Sequence, residues 1–283
     1  MKTAVFDDAT SFRQVADPLL LENEPANNLI LGISGNAVAR PETFDDFIGW
    51  VVVAGGEAQA AAVRTPPHNL VLGLARSEEA VVTLAANVGG IPGVVGCLPW
   101  VEEFIAACDE PMRLVMSQGV FALTEVERPP APGGSSRLGR PDELEQILEM
   151  RMAFEKEAIG QVENPETTSQ GTVARLNEQS AGFGLWVHEA EGEVVSISGH
   201  GGPTPHGIRI GPVYTRPEHR GRGFASDLVA TQSQWLLDSG HRFCFLYTDL
   251  ANPTSNSIYQ RIGYRQIAES AQYDIDPASG SAE

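Results

Sequence analysis

Basic residues are scarce: 19 Lys and Arg stand against 37 Asp and Glu, a formal net charge of −18 over 283 residues. So acidic a chain repels phosphate backbones, which counts against nucleic acid as a partner. The same balance favours solubility and suits a cationic substrate. Cysteine is also sparse. Cys97, Cys108 and Cys244 form an odd set with no metal-ligand spacing, so neither a disulfide framework nor a metal site is expected. Their apolar neighbours mark them as buried, inert thiols. No apolar run is long enough to span a membrane. Residues 1–10 carry two aspartates and no apolar segment, unlike a signal peptide. These absences predict a cytoplasmic protein with no metal and no membrane contact. They say nothing of oligomeric state.

What is present is an ordinary globular balance, 42% hydrophobic and 20% charged, in a chain long enough for two domains. One composition break divides it. Arg128-Pro129-Pro130-Ala131-Pro132-Gly133-Gly134-Ser135-Ser136 has no apolar period and reads as a linker. The expected layout is a domain over 1–128, a linker over 129–136 and a second domain over 137–283. In the first half, periodicity predicts helix over 11–22, strands over 50–53, 58–63 and 70–74, helix over 77–88, a strand over 93–96, helix over 99–108, and strands over 112–116 and 120–126. In the second half it predicts helices over 140–158 and 167–179, strands over 184–189, 194–199 and 207–215, helix over 223–239, a strand over 243–247, helix over 254–262 and strands over 264–275. The shared order points to a duplicated fold.

The stretch that carries chemistry is Gly211-Pro-Val-Tyr-Thr-Arg-Pro-Glu-His-Arg-Gly-Arg-Gly-Phe-Ala-Ser226. A strand ends near Thr215, Arg216-Pro217 signals a turn, and a long helix begins after Gly223. The first amides of a helix lack internal partners and sit at the positive end of its dipole. Gly221 and Gly223 allow close backbone approach, and Arg220 and Arg222 add charge. A pyrophosphate is the ligand such a turn favours. The blander alternative is a strand-to-helix connection with surface arginines. No Gly-Lys-Ser/Thr follows, so this is not a Walker A loop. The spacing is not that of a dinucleotide fingerprint.

Arg220-x-x-Gly223-x-Ala225 resembles the acyl-CoA signature of the GNAT acetyltransferases, Gln/Arg-x-x-Gly-x-Gly/Ala. Asn252-Pro-Thr-Ser-Asn256-Ser-Ile-Tyr259-Gln-Arg-Ile-Gly263-Tyr264 is similar to that family's second signature, and the likeness covers 137–275. The resemblance implies an α/β (α+β) architecture of tandem GNAT-like folds, each a mixed central sheet flanked by helices. It implies acetyl-CoA as co-substrate, with no metal. The pyrophosphate would lie on the amides of Gly221, Arg222, Gly223, Phe224, Ala225 and Ser226. The pantetheine arm would run along Val213, Tyr214 and Thr215, with Asn252 and Asn256 near the donor. Asn252 also suits a helix cap. Tyr259 would protonate the departing thiolate, unless it is simply core between Ile258 and Ile262. Glu155, Glu157, His200 and Asp249 remain open as the base. The first half has Gly73-Leu74-Ala75-Arg76-Ser77-Glu78-Glu79 at the matching place, with carboxylates where the phosphates would lie, and reads as a degenerate copy.

The implied function is acetyl transfer to a primary amine on a small molecule or peptide. The alternatives are an acyl-CoA sensor without turnover, and an aminoacyl transferase using charged tRNA. The net charge opposes the latter.

Overall fold

The computed structural model describes residues 1–159 and 164–276. The chain divides into two compact units: Met1–Val120 with Tyr247–Asn252 and Gln266–Glu283, and Phe121–Leu246 with Pro253–Arg265. This division departs from the expected boundaries of 1–128 and 137–283. The reason is that the last strand in sequence hydrogen-bonds into the first unit's sheet, as set out below.

The first half runs β1 (Lys2–Phe6), α1 (Ala9–Leu20), α2 (Asn28–Ala39), β2 (Ile48–Ala54), β3 (Glu57–Arg64), β4 (Leu70–Leu72), α3 (Glu78–Ala85), β5 (Gly93–Cys97), α4 (Trp100–Ala106) and β6 (Met112–Leu123). The second half repeats this order as β7 (Ser135–Leu138), α5 (Leu144–Ile159), α6 (Pro165–Asn177), β8 (Gly184–Ala190), β9 (Glu193–Gly201), β10 (Gly207–Thr215), α7 (Phe224–Asp238), β11 (Phe243–Asp249), α8 (Pro253–Ile262) and β12 (Arg265–Ile275). Two copies of the same ten-element order account for the duplication read from the sequence.

In the first unit the strand order is β1-β2-β3-β4-β5-β12. Strand β12 runs antiparallel to β5, from Ser270↔Cys97 to Asp274↔Gly93. Alternation along β2 sends Val51 to one core with Phe12, Leu20, Ile30 and Leu31, and Trp50 and Val52 to another with Val81, Leu84, Val101 and Phe104. The sheet is thus covered by α1 and α2 on one face and α3 and α4 on the other. Asp8 caps α1 by accepting from the Ser11 amide at 2.8 Å, and Ser77 caps α3.

In the second unit the order is β11-β10-β9-β8-β7. One face packs Leu185, Val187, Ile197 and Tyr214 on Ile147 and Met150 of α5 and Leu176 of α6. The other packs Ile208, Ile210 and Cys244 on Val229 and Leu236 of α7 and Ile262 of α8, joined by Phe121 and Leu123 of β6.

Three sequence expectations change. Helix α2 escapes periodicity because it is apolar on most sides, buries Ile30, Leu31, Gly32, Ser34 and Ala37, and carries Gly32 and Gly35. The two strands expected over 112–126 are one, β6, which passes straight through Ser117-Gln118-Gly119. The expected linker ends early, since Ser135 and Ser136 already pair with Glu189 and His188.

Candidate functional site

Strand β10 begins beside β11 in parallel register, but only Gly207, Ile208 and Arg209 are paired, with Phe243, Cys244 and Phe245. The register on β9 then shifts between Ile210 and Val213, after which Val213, Tyr214 and Thr215 pair with Ser198, Ile197 and Ser196. From Val213 onward β10 is bonded on its β9 side and has no register with β11. A strand edge left this way can take an extended amide-bearing ligand as an added strand.

The chain leaves β10 through a 3-10 turn over Pro217–His219 and enters α7 at Phe224. Gly221 and Gly223 have φ of 75° and 89°, the left-handed region that favours glycine. A Cβ at Gly221 would meet nothing within 4 Å, and one at Gly223 only the Pro132 side chain at 3.6 Å, so the backbone lies open on that side. No backbone amide from residue 221 to residue 226 donates a hydrogen bond to any described residue. The Asp227 amide, bonded to the Gly223 carbonyl at 3.0 Å, is the first that does. Six successive unspent donors at the start of a fifteen-residue helix make an anion cradle.

Phe224 is buried and anchors this turn, its ring 4.9 Å from that of His188. Beside it, Ser136 Oγ donates to Asp227 Oδ2 at 2.8 Å and lies 2.8 Å from His188 Nδ1, while His188 Nε2 lies 2.9 Å from the Gly133 carbonyl oxygen. This network ties residues 133–136 to the first turn of α7. Arg222 lies over the Phe224 ring at 4.8 Å and only 3.9 Å from exposed Glu191. Its charge therefore remains near the turn.

Arg220 behaves differently. Its Nε donates to the Thr215 carbonyl at 3.0 Å, and its Nη2 meets Glu157 Oε1 at 3.0 Å and Oε2 at 2.7 Å. Tyr214 donates its hydroxyl to the same Glu157 Oε1 at 3.0 Å. Burial, then Glu157, raises the Tyr214 pKa. The sequence offered Arg220 as a free cation for phosphate; here Glu157 at the end of α5 already holds it.

Tyr259 is 8% exposed and sits in the core cluster that includes Val229, Ile262 and, at its margin, Val213 and Ile258. Its ring meets that of Tyr264 edge-on at 6.0 Å. Its hydroxyl has no hydrogen-bond partner among the described residues, and burial pushes its pKa up to about 12. Asn256 is half-buried on α8. Asn252 precedes α8, donates its amide to the Asp249 carbonyl at 3.0 Å, and falls in the 247–252 segment of the first unit.

Of the candidate bases, His200 is fully buried, with Nε2 on the Ser180 carbonyl at 2.8 Å and Nδ1 on Gln232 at 3.2 Å. Burial lowers its pKa to about 4. Both ring nitrogens are spent, so His200 is a core residue. Glu155 has both carboxylate oxygens within 3.0 Å of Thr168 Oγ1. Asp249 is exposed and accepts from the Ala251 amide at 2.8 Å. Cys244 is wholly buried, and its thiol is pushed up to about 12, so it is no nucleophile. Among the described residues no group of His, Cys, Asp and Glu could hold a metal, and no helix is long and apolar enough to cross a membrane.

The first unit shows what the same fold does without a cradle. All of β4 pairs with β5, from Leu70↔Val94 to Leu72↔Gly96, so no strand edge runs on unpaired. The amides of Gly73, Leu74 and Arg76 are bonded to Ala61 O at 2.9 Å, Asn27 Oδ1 at 2.8 Å and Gln59 O at 2.8 Å. The chain's own acceptors satisfy these donors, and Arg76 is shared between Glu22 and Glu57.

Comparison with known proteins bears on the fold. A family model described as FR47-like protein matches residues 204–273, which span β10 to β12. No curated protein matches the sequence. Among solved structures, a GNAT-family acetyltransferase from Colwellia psychrerythraea is 10% identical, with 98% of this chain and 100% of that chain covered and a TM-score of 0.59. A tandem GNAT protein from the clavulanic acid biosynthesis pathway is 14% identical, covers 100% of both chains and has a TM-score of 0.59. A Drosophila protein is 10% identical, with 97% and 98% covered and a TM-score of 0.68. The fold is the GNAT fold. It occurs twice in the chain, and the copy in the second unit carries the open cradle.

Proposed function

We propose that the second unit binds an acyl-CoA, with acetyl-CoA the expected donor, and transfers its acyl group to a primary amine. The unbroken row of unspent amides from 221 to 226, interrupted at the matching turn of the first unit by the bonded amides of Gly73, Leu74 and Arg76, carries this reading. Phosphate oxygens on those amides would meet donors already oriented, with Arg222 alongside. The stretch Val213, Tyr214 and Thr215, unpaired with β11 although the Thr215 carbonyl accepts from Arg220, suits the pantetheine amides. An amide there would also polarise the thioester carbonyl as charge develops on its oxygen.

In the transfer the amine nitrogen attacks the thioester carbon, the C–N bond forms, the C–S bond breaks and the thiolate takes a proton. Tyr259 is the proposed source of that proton. Its burial keeps the phenol neutral, as a donor must be. The amine must lose its own proton first, and with His200 spent in the core, Glu155, Glu157 and Asp249 stay the proposed bases, Glu157 only after it releases Arg220.

The test is calorimetric titration of acetyl-CoA into the wild type and into Gly223→Glu, with a melt to confirm folding. The variant strains a turn at φ 89° and puts a carboxylate on the cradle. Micromolar wild-type binding that is lost in the folded variant supports the site. No binding by the wild type would refute it, and binding without thiol release on any amine would leave an acyl-CoA sensor.

A further inference from the structure

We propose that Arg151 receives a carboxylate of the acceptor, so that the amine acylated here belongs to the amino-acid class. Acylation of that ligand rests on the acyl-transfer reading above; the unpartnered guanidinium nitrogens of Arg151 do not.

Helix α5 puts Ile147 and Met150 into the core, and Arg151 follows one turn after Ile147. Its side chain is 13% exposed. Nε and Nη1 are buried without a hydrogen-bond partner among the described residues. Its one ion-pair partner among the described residues is Glu155, whose Oε1 is 4.0 Å from Nη2, beyond hydrogen-bond reach. Glu155 is itself engaged by Thr168 Oγ1 at 2.8 and 3.0 Å. A guanidinium stays charged in a protein, although burial pushes its pKa down here. A buried cation with unspent donors calls for an anion.

The position on α5 ties Arg151 to the donor site. Glu157, six residues on and about 9 Å along the helix, holds Tyr214 of β10 and Arg220 of the cradle turn. Charge selects the ligand class. Arg151 and Glu155 side by side complement a carboxylate beside an ammonium. A phosphate would set two negative charges against Glu155. A bare amine would leave Arg151 unanswered.

The experiment uses the full chain, acetyl-CoA and matched amines, L-lysine with cadaverine and L-phenylalanine with phenethylamine, read by thiol release. Arg151→Met is run in parallel, and melts are recorded without ligand and with millimolar L-lysine. Turnover is expected only for the amino acids, and Arg151→Met should lower their kcat/KM by roughly 30-fold or more. Without ligand, Arg151→Met should melt within roughly 2–4 °C of the wild type, because Arg151 donates no hydrogen bond among the described residues and its only ion pair, with Glu155, is long at 4.0 Å. L-lysine should raise the wild-type midpoint and not that of the variant. Equal use of amines without a carboxylate, or an L-lysine shift of the midpoint as large in Arg151→Met as in the wild type, overturns the proposal. If acetyl-CoA does not bind, or no pair turns over, the melts still decide it. A failure of acyl transfer is thereby separated from a failure of carboxylate recognition.

Discussion

Glu157→Gln gives the sharpest reading of the cradle. The Arg220–Glu157 pair is short, 2.7 Å, but the two side chains are 46% and 48% exposed. An ion pair that wet is worth about 0.2–1 kcal/mol. A donor phosphate that draws on Arg220 must give up this contact, so the pair weakens donor binding by the same amount. Glutamine keeps an oxygen for the Tyr214 hydroxyl and removes the charge. With 1.4 kcal/mol per decade, acetyl-CoA should bind roughly 1.5- to 5-fold tighter. The gain should be largest at low ionic strength and shrink as salt screens the pair. Calorimetry at about 10 and 500 mM salt measures it. Affinity that falls in Glu157→Gln, or does not change at low salt, would show that Glu157 orients the turn and does not compete for Arg220.

Two further outcomes follow from the buried titratable groups. Tyr259→Phe should keep donor affinity and lose turnover, and the wild-type rate should show no Tyr259 limb up to pH 10, because its pKa is pushed up to about 12. Any stability that Tyr259 adds is present below pH 10 and lost as pH rises towards 12; a falling rate limb near pH 8 that vanishes in Tyr259→Phe would contradict the assignment. His200, lowered from 6.5 to about 4, acts in the opposite direction. Its neutral form contributes roughly 3 kcal/mol above pH 6.5 that is lost as pH falls towards 4. Urea titrations at pH 7 and 4.5 check this, and equal stabilities would refute it.

The turn at 216–226 was legible in the sequence because its physics is local. Glycines at Gly221 and Gly223, a preceding strand and a following helix suffice to predict open amides, and both glycines do take positive φ. The duplication was legible from element order alone. What escaped depends on distant parts of the chain. Nothing near Arg220 reveals that α5 delivers Glu157 to it. Helix α2 is buried broadly enough to lose its period. The partner of β12 could not be read, since an alternating strand carries no label for the sheet it joins. Arg151 did leave a signal, a lone cation next to Met150 on an apolar stripe, and its meaning emerged only with its missing partners.

The place of β12 bears on how the protein is made. Gly93 of β5 waits for Asp274, so the edge of β5 that β12 covers stays bare while the whole stretch between the two strands emerges from the ribosome. The first unit closes only after the second unit's strands have been made. Contacts so distant in sequence slow folding, and a bare strand edge invites pairing with other chains in the interval. Stalled or truncated synthesis therefore exposes an adhesive first unit, whatever the state of the acyltransfer site.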